Sequence, residues 1–386
     1  MLETNEDPTI AGEKKVFEAI NNNDSVLLKV LLTENPQYVN ILDENRMTPL
    51  QHAAYKGNKE LVRTLLDQGA DVKLCEHPHN YTSLHFGALS GNTDVCLLLL
   101  EAGAKSTELN TVGRTPSQMA AFVGHHNCVS IINNFIARKD VEHYTRPHGS
   151  DNTPPLPPFL LESFHKFIMQ INVHPVKVVM NLHNFMGLQE HLKEIKKVLE
   201  LMCEKEMHNG SDTNEVMSFK FHYLAYVVGE VDKVKQRQGQ IDITETFAKK
   251  LLKPGKDDSL EFMDAFLKEC IREFPYRDST LFRQIVTTLS REDAPSALFV
   301  IDSLINGQKG FLDNVPHCNS CGEEKPAKKC SKCKVVQYCD RNCQRLHWTW
   351  HKKVCAKLCQ ETADADSVRA AKEVDIKELQ NLLVNN

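Results

Sequence analysis

The chain has 386 residues, 41% of them apolar and 25% charged, enough for two or three domains with cores of their own. A formal charge of −5 is too small at this length to draw the whole molecule to nucleic acid or an anionic membrane. The strongest apolar run, VCLLLL at Val95–Leu100, falls far short of the roughly 20 residues a bilayer needs, and no signal peptide or lipidation motif is seen, so a cytosolic protein is expected.

The first 140 residues repeat. MTPLQHAAYKGNKELVRTLLDQGADV from Met47, YTSLHFGALSGNTDVCLLLLEAGAKS from Tyr81 and RTPSQMAAFVGHHNCVSIINNF from Arg114 align with one another. Thr48, Thr82 and Thr115 recur at spacings of 34 and 33 residues, and Gly57, Gly91 and Gly124 follow in step. An earlier copy around Ala19 lacks the Thr-Pro start and reads as a capping repeat. Each Thr is expected to cap a first helix, with Pro at N1, the glycine to end it, and a Leu-Leu or Ile-Ile pair to pack the second helix.

This pattern resembles the ankyrin repeat over residues 10–140. Its T-P-L-H-x-A signature is incomplete: Gln51 stands in the His slot, Ser83 replaces Pro, Gly87 replaces Ala and Ser117 replaces Leu. The resemblance implies a solenoid that holds protein partners on a concave face, with tips at Asp43–Arg46, Glu76–Asn80 and Asn110–Arg114. The two histidines of the EHPHN tip, His77 and His79, are expected to be a solvated loop, because nothing nearby in the sequence completes a ligand set.

Residues 141–158 are polar and proline-rich and read as a linker. Within them PPLPP is either a stiff spacer or a short peptide to be held by something. From Phe159 to residue 312 the periodicity is helical, as in Leu192, Ile195, Leu199 and Met202. Further helical patterns cover 217–234, 260–272, 279–289 and 296–304. The aromatic positions Phe219, Phe221, Tyr223 and Tyr226 are expected in the core. Neither a phosphate loop nor a catalytic triad pattern is visible.

Eight of the thirteen cysteines crowd between Cys318 and Cys359. Without a signal peptide, such density indicates metal ligands rather than disulfides. The spacing C-x2-C, C-x2-C, C-x3-C, H-x3-C uses Cys318, Cys321, Cys330, Cys333, Cys339, Cys343, His351 and Cys355. Seven thiolates and one imidazole make two closed four-coordinate sites, hence two structural zinc ions. His347 competes with His351, but only His351 fits the H-x3-C spacing, and Cys359 is left over.

The pattern over residues 316–356 closely resembles the MYND zinc finger. The resemblance implies alternating pairing: Cys318, Cys321, Cys339 and Cys343 on one zinc, Cys330, Cys333, His351 and Cys355 on the other. It also implies a groove for proline-rich peptides of P-x-L-x-P form, lined by Gln344 and Trp348. Pro154, Leu156 and Pro158 spell that form, so the linker is a candidate internal ligand. From Pro316 to Cys359 there are ten Lys/Arg and three Asp/Glu, or +7. Seven thiolates and two zinc ions bring the sum to about +4, which favours protein over nucleic-acid partners.

The expected fold class is therefore mostly α: an ankyrin solenoid, a helical middle region and a small two-zinc finger near the C-terminus. The combination resembles the ankyrin-repeat and MYND-domain-containing protein family. This implies a non-enzymatic adaptor that carries membrane cyclases and other signalling proteins to the primary cilium, with an immunophilin of the FK506-binding class among its partners. A nuclear transcriptional corepressor is the alternative. A SET-type lysine methyltransferase is disfavoured because no Asn-His-Ser segment is present and the one Gly-Glu-Glu, Gly322–Glu324, lies between zinc ligands. The tail, 360–386, is either a short amphipathic helix through Val374, Leu379, Leu382 and Leu383 or a frayed end.

Overall fold

The computed structural model describes residues 8–147, 153–208, 210, 213–238, 242–255, 260–307 and 315–360. The tail beyond residue 360, either a short helix or a frayed end by sequence, lies outside these. Two compact units emerge. One holds the described residues of Met1–Leu161, Ile168–Ile171 and Asp302–Phe311, and the other those of Glu162–Phe167, Asn172–Ile301 and Leu312–Asn386.

The first unit is built from helix pairs: α1 (Pro8–Asn21) with α2 (Ser25–Glu34), α3 (Pro49–Tyr55) with α4 (Lys59–Asp67), α5 (Ser83–Ser90) with α6 (Thr93–Glu101), and α7 (Pro116–Phe122) with α8 (His126–Asn134). A short α9 (Arg138–Glu142) follows. The hydroxyls of Thr48, Thr82 and Thr115 each accept the N3 backbone N–H, and the N3 side chain bonds back to the cap N–H, closing three capping boxes. Gly57, Gly91 and Gly124 then take left-handed φ values of 67°, 73° and 83°, which L side chains resist. Leucine, valine and alanine from successive pairs form one continuous core, with Ala53, Leu61, Leu65, Leu84, Ala88, Val95, Leu99 and Ala120 fully buried.

Two of the departures from the repeat signature, Gln51 and Gly87, have physical explanations. Buried Gln51 accepts the Thr48 N–H through Oε1, 2.8 Å, and donates through Nε2 to the Tyr81 carbonyl of the next repeat, 2.9 Å. His85 does the same with its two ring nitrogens, accepting from Thr82 N and donating to the Arg114 carbonyl at 3.0 Å. Gln therefore reproduces both histidine contacts. At Gly87 a Cβ would come within 3.2 Å of Leu99 and Val95, so the missing methyl admits the second helix. His77 of the EHPHN tip packs its ring against Tyr81 and Phe86, with centroids 5.4 and 5.5 Å away. Among the described residues, neither His77 nor His79 belongs to a group able to hold a metal.

The C-terminal end of the array is covered by chain from far downstream. The Asn134 amide donates to Asn306 Oδ1 at 2.8 Å, Ser130 Oγ donates to the Asn306 carbonyl, and the Asn306 amide donates to the Ile171 carbonyl at 2.9 Å. Such a polar closure suits a terminal repeat.

From Leu161 the helices are α10 (Leu161–Ile168), α11 (Pro175–Asn184), α12 (Leu192–Met207), α13 (Glu215–Gln238), α14 (Ile243–Leu251), α15 (Glu261–Arg272), α16 (Thr280–Leu289) and α17 (Ala297–Asn306). In the second unit α12 packs along α13, and α14 packs on α11 and α13. Phe219, Phe221 and Tyr223 of α13 are buried as expected, while Tyr226 is half-buried. Lys220 is enclosed as well, and burial pushes its ammonium down to about 7. Two helices, α11 and α14, were not anticipated from periodicity. Among the described residues the second unit closes with the cysteine-rich segment, which carries strands β1 (Lys328–Lys329) and β2 (Gln337–Tyr338) and a helix, α18, over 341–360.

Candidate metal centre

Both C-x2-C pairs sit in the same type of knuckle. Gly322 and Lys334 follow the pairs in left-handed backbone, φ 68° and 58°. Each donates its N–H to the carbonyl of the first cysteine, Cys318 or Cys330, at 2.9 Å. This turn aims two thiols at one point. The antiparallel β1–β2 ladder then brings Cys330 beside Val336, whose carbonyl accepts the Cys330 N–H at 3.0 Å. Asp340 caps α18 by accepting the Cys343 N–H at 2.9 Å, and the helix presents Cys343, His351 and Cys355.

The ligand atoms converge in two groups: Cys318, Cys321, Cys339 and Cys343, and Cys330, Cys333, His351 and Cys355, each within 4.8 Å of one another. The alternating pairing implied by the resemblance is the one found. Sulfur separations are 3.6 Å for Cys321–Cys339, 3.7 Å for Cys321–Cys343 and 3.9 Å for Cys330–Cys355. Four sulfurs around a tetrahedral zinc lie about 3.8 Å apart. His351 Nε2 lies 3.3 Å from Cys330 Sγ and 3.6 Å from Cys333 Sγ, against about 3.6 Å for a tetrahedral N/S pair. None of these cysteines is in a disulfide. The residues fit two zinc ions, and with four protein donors each the sites are closed.

His351 is oriented by packing rather than by the usual second hydrogen bond. Its Nδ1 is buried without a partner, while its ring stacks on His347 at 5.8 Å and meets Tyr338 edge-on. His347 belongs to neither ligand group, and its Nδ1 pairs with the Tyr338 hydroxyl at 3.0 Å. Burial, and secondarily neighbouring His351, push its imidazole down to about 4. Cys359 stands outside both groups.

The finger is seated on the helices of its own unit. The Asn172 amide donates to the Cys321 carbonyl at 3.1 Å and to Glu323 at 3.2 Å, and Lys177 of α11 pairs with Glu323 at 2.9 Å. The ring of His174 lies so close under Gly322 that a Cβ there would come within 3.0 Å of it. On α18, Trp350 Nε1 donates to the Lys249 carbonyl of α14 at 3.2 Å, and Arg345 pairs with Glu245 of α14 at 3.2 Å. None of these partners was identifiable from the ligand spacing.

Gln344 and Trp348 lie one turn apart on α18, Gln344 half-buried and Trp348 43% exposed. The segment carrying Pro154, Leu156 and Pro158 is placed in the first unit. Leu156 is fully buried and donates its N–H to the Tyr144 carbonyl at 2.9 Å, Pro154 is half-buried, and Pro158 is exposed at the start of a 3-10 turn. What the composition suggested as a spacer is, in these residues, packed chain.

Comparison with known proteins agrees with this architecture. Residues 16–110 match ankyrin repeats in three copies, and residues 318–355 match the MYND finger. Dauer abnormal formation protein 25 of Caenorhabditis elegans is 32% identical over 368 residues, covering 92% of this chain and 94% of that protein. Ankyrin repeat and SAM domain-containing protein 6 of Rattus norvegicus is 32% identical over 92 residues, 24% of this chain and 10% of that protein. Diacylglycerol kinase iota of Homo sapiens is 30% identical over 118 residues, 30% of this chain and 10% of that protein, so these two share a short stretch only. Ankyrin repeats and a MYND finger are protein-interaction modules, and no helix among the described residues is long and apolar enough to cross a membrane. The chain belongs to the family of Dauer abnormal formation protein 25, in which it joins an ankyrin array to a two-zinc MYND finger.

Proposed function

We propose that this protein is a non-enzymatic adaptor. Its finger takes P-x-L-x-P segments on Gln344 and Trp348, and its ankyrin array holds a second class of protein. The cargo implied by the family resemblance is membrane cyclases and other signalling proteins bound for the primary cilium, with an FK506-binding-type immunophilin among the partners. The observation that carries the reading is the pairing of closed zinc groups with an exposed indole. Four protein donors per ion leave no position for a reacting water, so the metal serves structure. Trp348, 43% exposed on α18, offers the flat apolar face that pre-extended proline segments suit.

A fluorescent P-x-L-x-P peptide titrated into the zinc-loaded full chain tests the finger's part. Trp348→Ala is expected to weaken binding by tenfold or more, the scale of an aromatic hot spot, roughly 2 kcal/mol, with the melting temperature unchanged. Equal affinity for the parent and the variant would contradict the reading.

A further inference from the structure

Helix α18 carries a pattern that zinc ligation does not use. Arg341, Arg345, Trp348 and Lys352 succeed one another at steps of four, three and four residues, which sets them along one stripe. Arg341 and Lys352 are exposed and make no ion pair among the described residues. The Arg345 side chain is 62% exposed even though it reaches Glu245. Over 341–360 the helix holds five Lys/Arg and no Asp or Glu. Arg341 and Arg345 stand near the helix N-terminus, where the aligned peptide dipoles disfavour cations. Arg341, in the first turn, is therefore not placed for helix stability, whereas Arg345 pairs with Glu245 of α14; Arg341 and Lys352 leave a positive field at both ends of the stripe.

The geometry points to a narrower ligand class for the finger: P-x-L-x-P segments flanked on both sides by Asp or Glu. This rests on reading the finger as a P-x-L-x-P binder. At 1.5 Å per residue the stripe from Arg341 to Lys352 is about 16 Å long. A five-residue proline-rich core at about 3.1 Å per residue covers that length. Laid along the stripe, such a core crosses Trp348, about 10 Å from Arg341 and about 6 Å from Lys352, and brings its flanking residues over those two cations. Flanking carboxylates then meet two unpaired cations, and basic flanks meet repulsion, so charge supplies selection among proline-rich segments that the indole alone would not distinguish. The zinc thiolates carry the opposite sign; Cys355, three residues beyond Lys352, continues the stripe but is buried, and Cys343 lies on another face of the helix.

The test titrates three labelled peptides with a common Pro-Ala-Leu-Ala-Pro core, flanked by Glu pairs, Ala pairs or Lys pairs, into the zinc-loaded full chain. The acidic peptide is expected to bind about tenfold more tightly than the neutral one at low salt, with the gap closing as salt is added. In the double variant Arg341→Glu, Lys352→Glu the order of acidic and basic peptides should reverse while the neutral peptide keeps its affinity. Should that variant fail to fold, Arg341→Gln, Lys352→Gln should abolish the acidic preference instead. Equal binding of acidic and neutral peptides, or a preference that survives both variants, overturns the charge inference and leaves the P-x-L-x-P reading standing. Failure of all three peptides to bind overturns both. A single-stranded oligonucleotide that displaces the acidic peptide at lower concentration would assign the stripe to nucleic acid and also overturn it.

Discussion

Removal of zinc by a strong chelator, or Cys318→Ser, is expected to shift tryptophan emission to the red and to lower the melting temperature of the helical unit, while most of the far-UV helical signal persists. Both tryptophans, Trp348 and Trp350, lie on α18. The finger has only two strands of two residues each besides that helix, too little to bury a core, so metal binding supplies its folding free energy. For such sites the apparent contribution is on the order of 10–16 kcal/mol. Trp350 is held by its bond to the Lys249 carbonyl, and losing the finger's fold releases the indole to water. The seat formed by Asn172, His174 and Lys177 is lost in the same event, which is why the helical unit should soften rather than ignore the metal. Helices elsewhere have their own core and should remain. Unchanged emission, with metal analysis showing that zinc has left, would contradict this account.

Leu156→Ala is expected to destabilise the protein by about 2–5 kcal/mol, the cost of truncating a fully buried leucine. The packing of Leu156 and the bond of its N–H to the Tyr144 carbonyl tie the proline-rich segment to the chain before it. Thermal unfolding should show the loss, and the affinity of the folded variant for a P-x-L-x-P peptide should be unchanged. A rise in that affinity would show instead that Pro154, Leu156 and Pro158 compete for the finger, as their sequence form suggested. A melting temperature equal to that of the parent would show that the burial contributes nothing.

The parts legible in the sequence are those written in local chemistry. Thr48, Thr82 and Thr115 announce helix starts because capping is satisfied within three residues, and the glycines announce stops because left-handed backbone demands them. The eight ligands are legible because closed zinc chemistry constrains both residue type and spacing. What was not legible is long-range. Asn172 reaches Cys321 across 149 positions and Asn134 reaches Asn306 across 172, and nothing near either asparagine marks it as a partner. Helix α11 hid for a different reason: Val176, Val178 and Val179 give PVKVV the look of a strand. Burial of these valines, with Pro175 at N1 and His174 accepting the Val176 N–H, overrides that propensity. Composition marks the proline-rich segment as a linker but cannot show that its single leucine is enclosed.

The central claim, that a zinc-dependent finger and an ankyrin array together make an adaptor, is tested most directly by proximity labelling with the intact chain against Cys318→Ser. The account predicts that membrane cyclases and proteins of the cilium are labelled by the intact chain and lost from the variant. Chromatin proteins in the set lost from the variant, or the same proteins labelled by both chains, would contradict it.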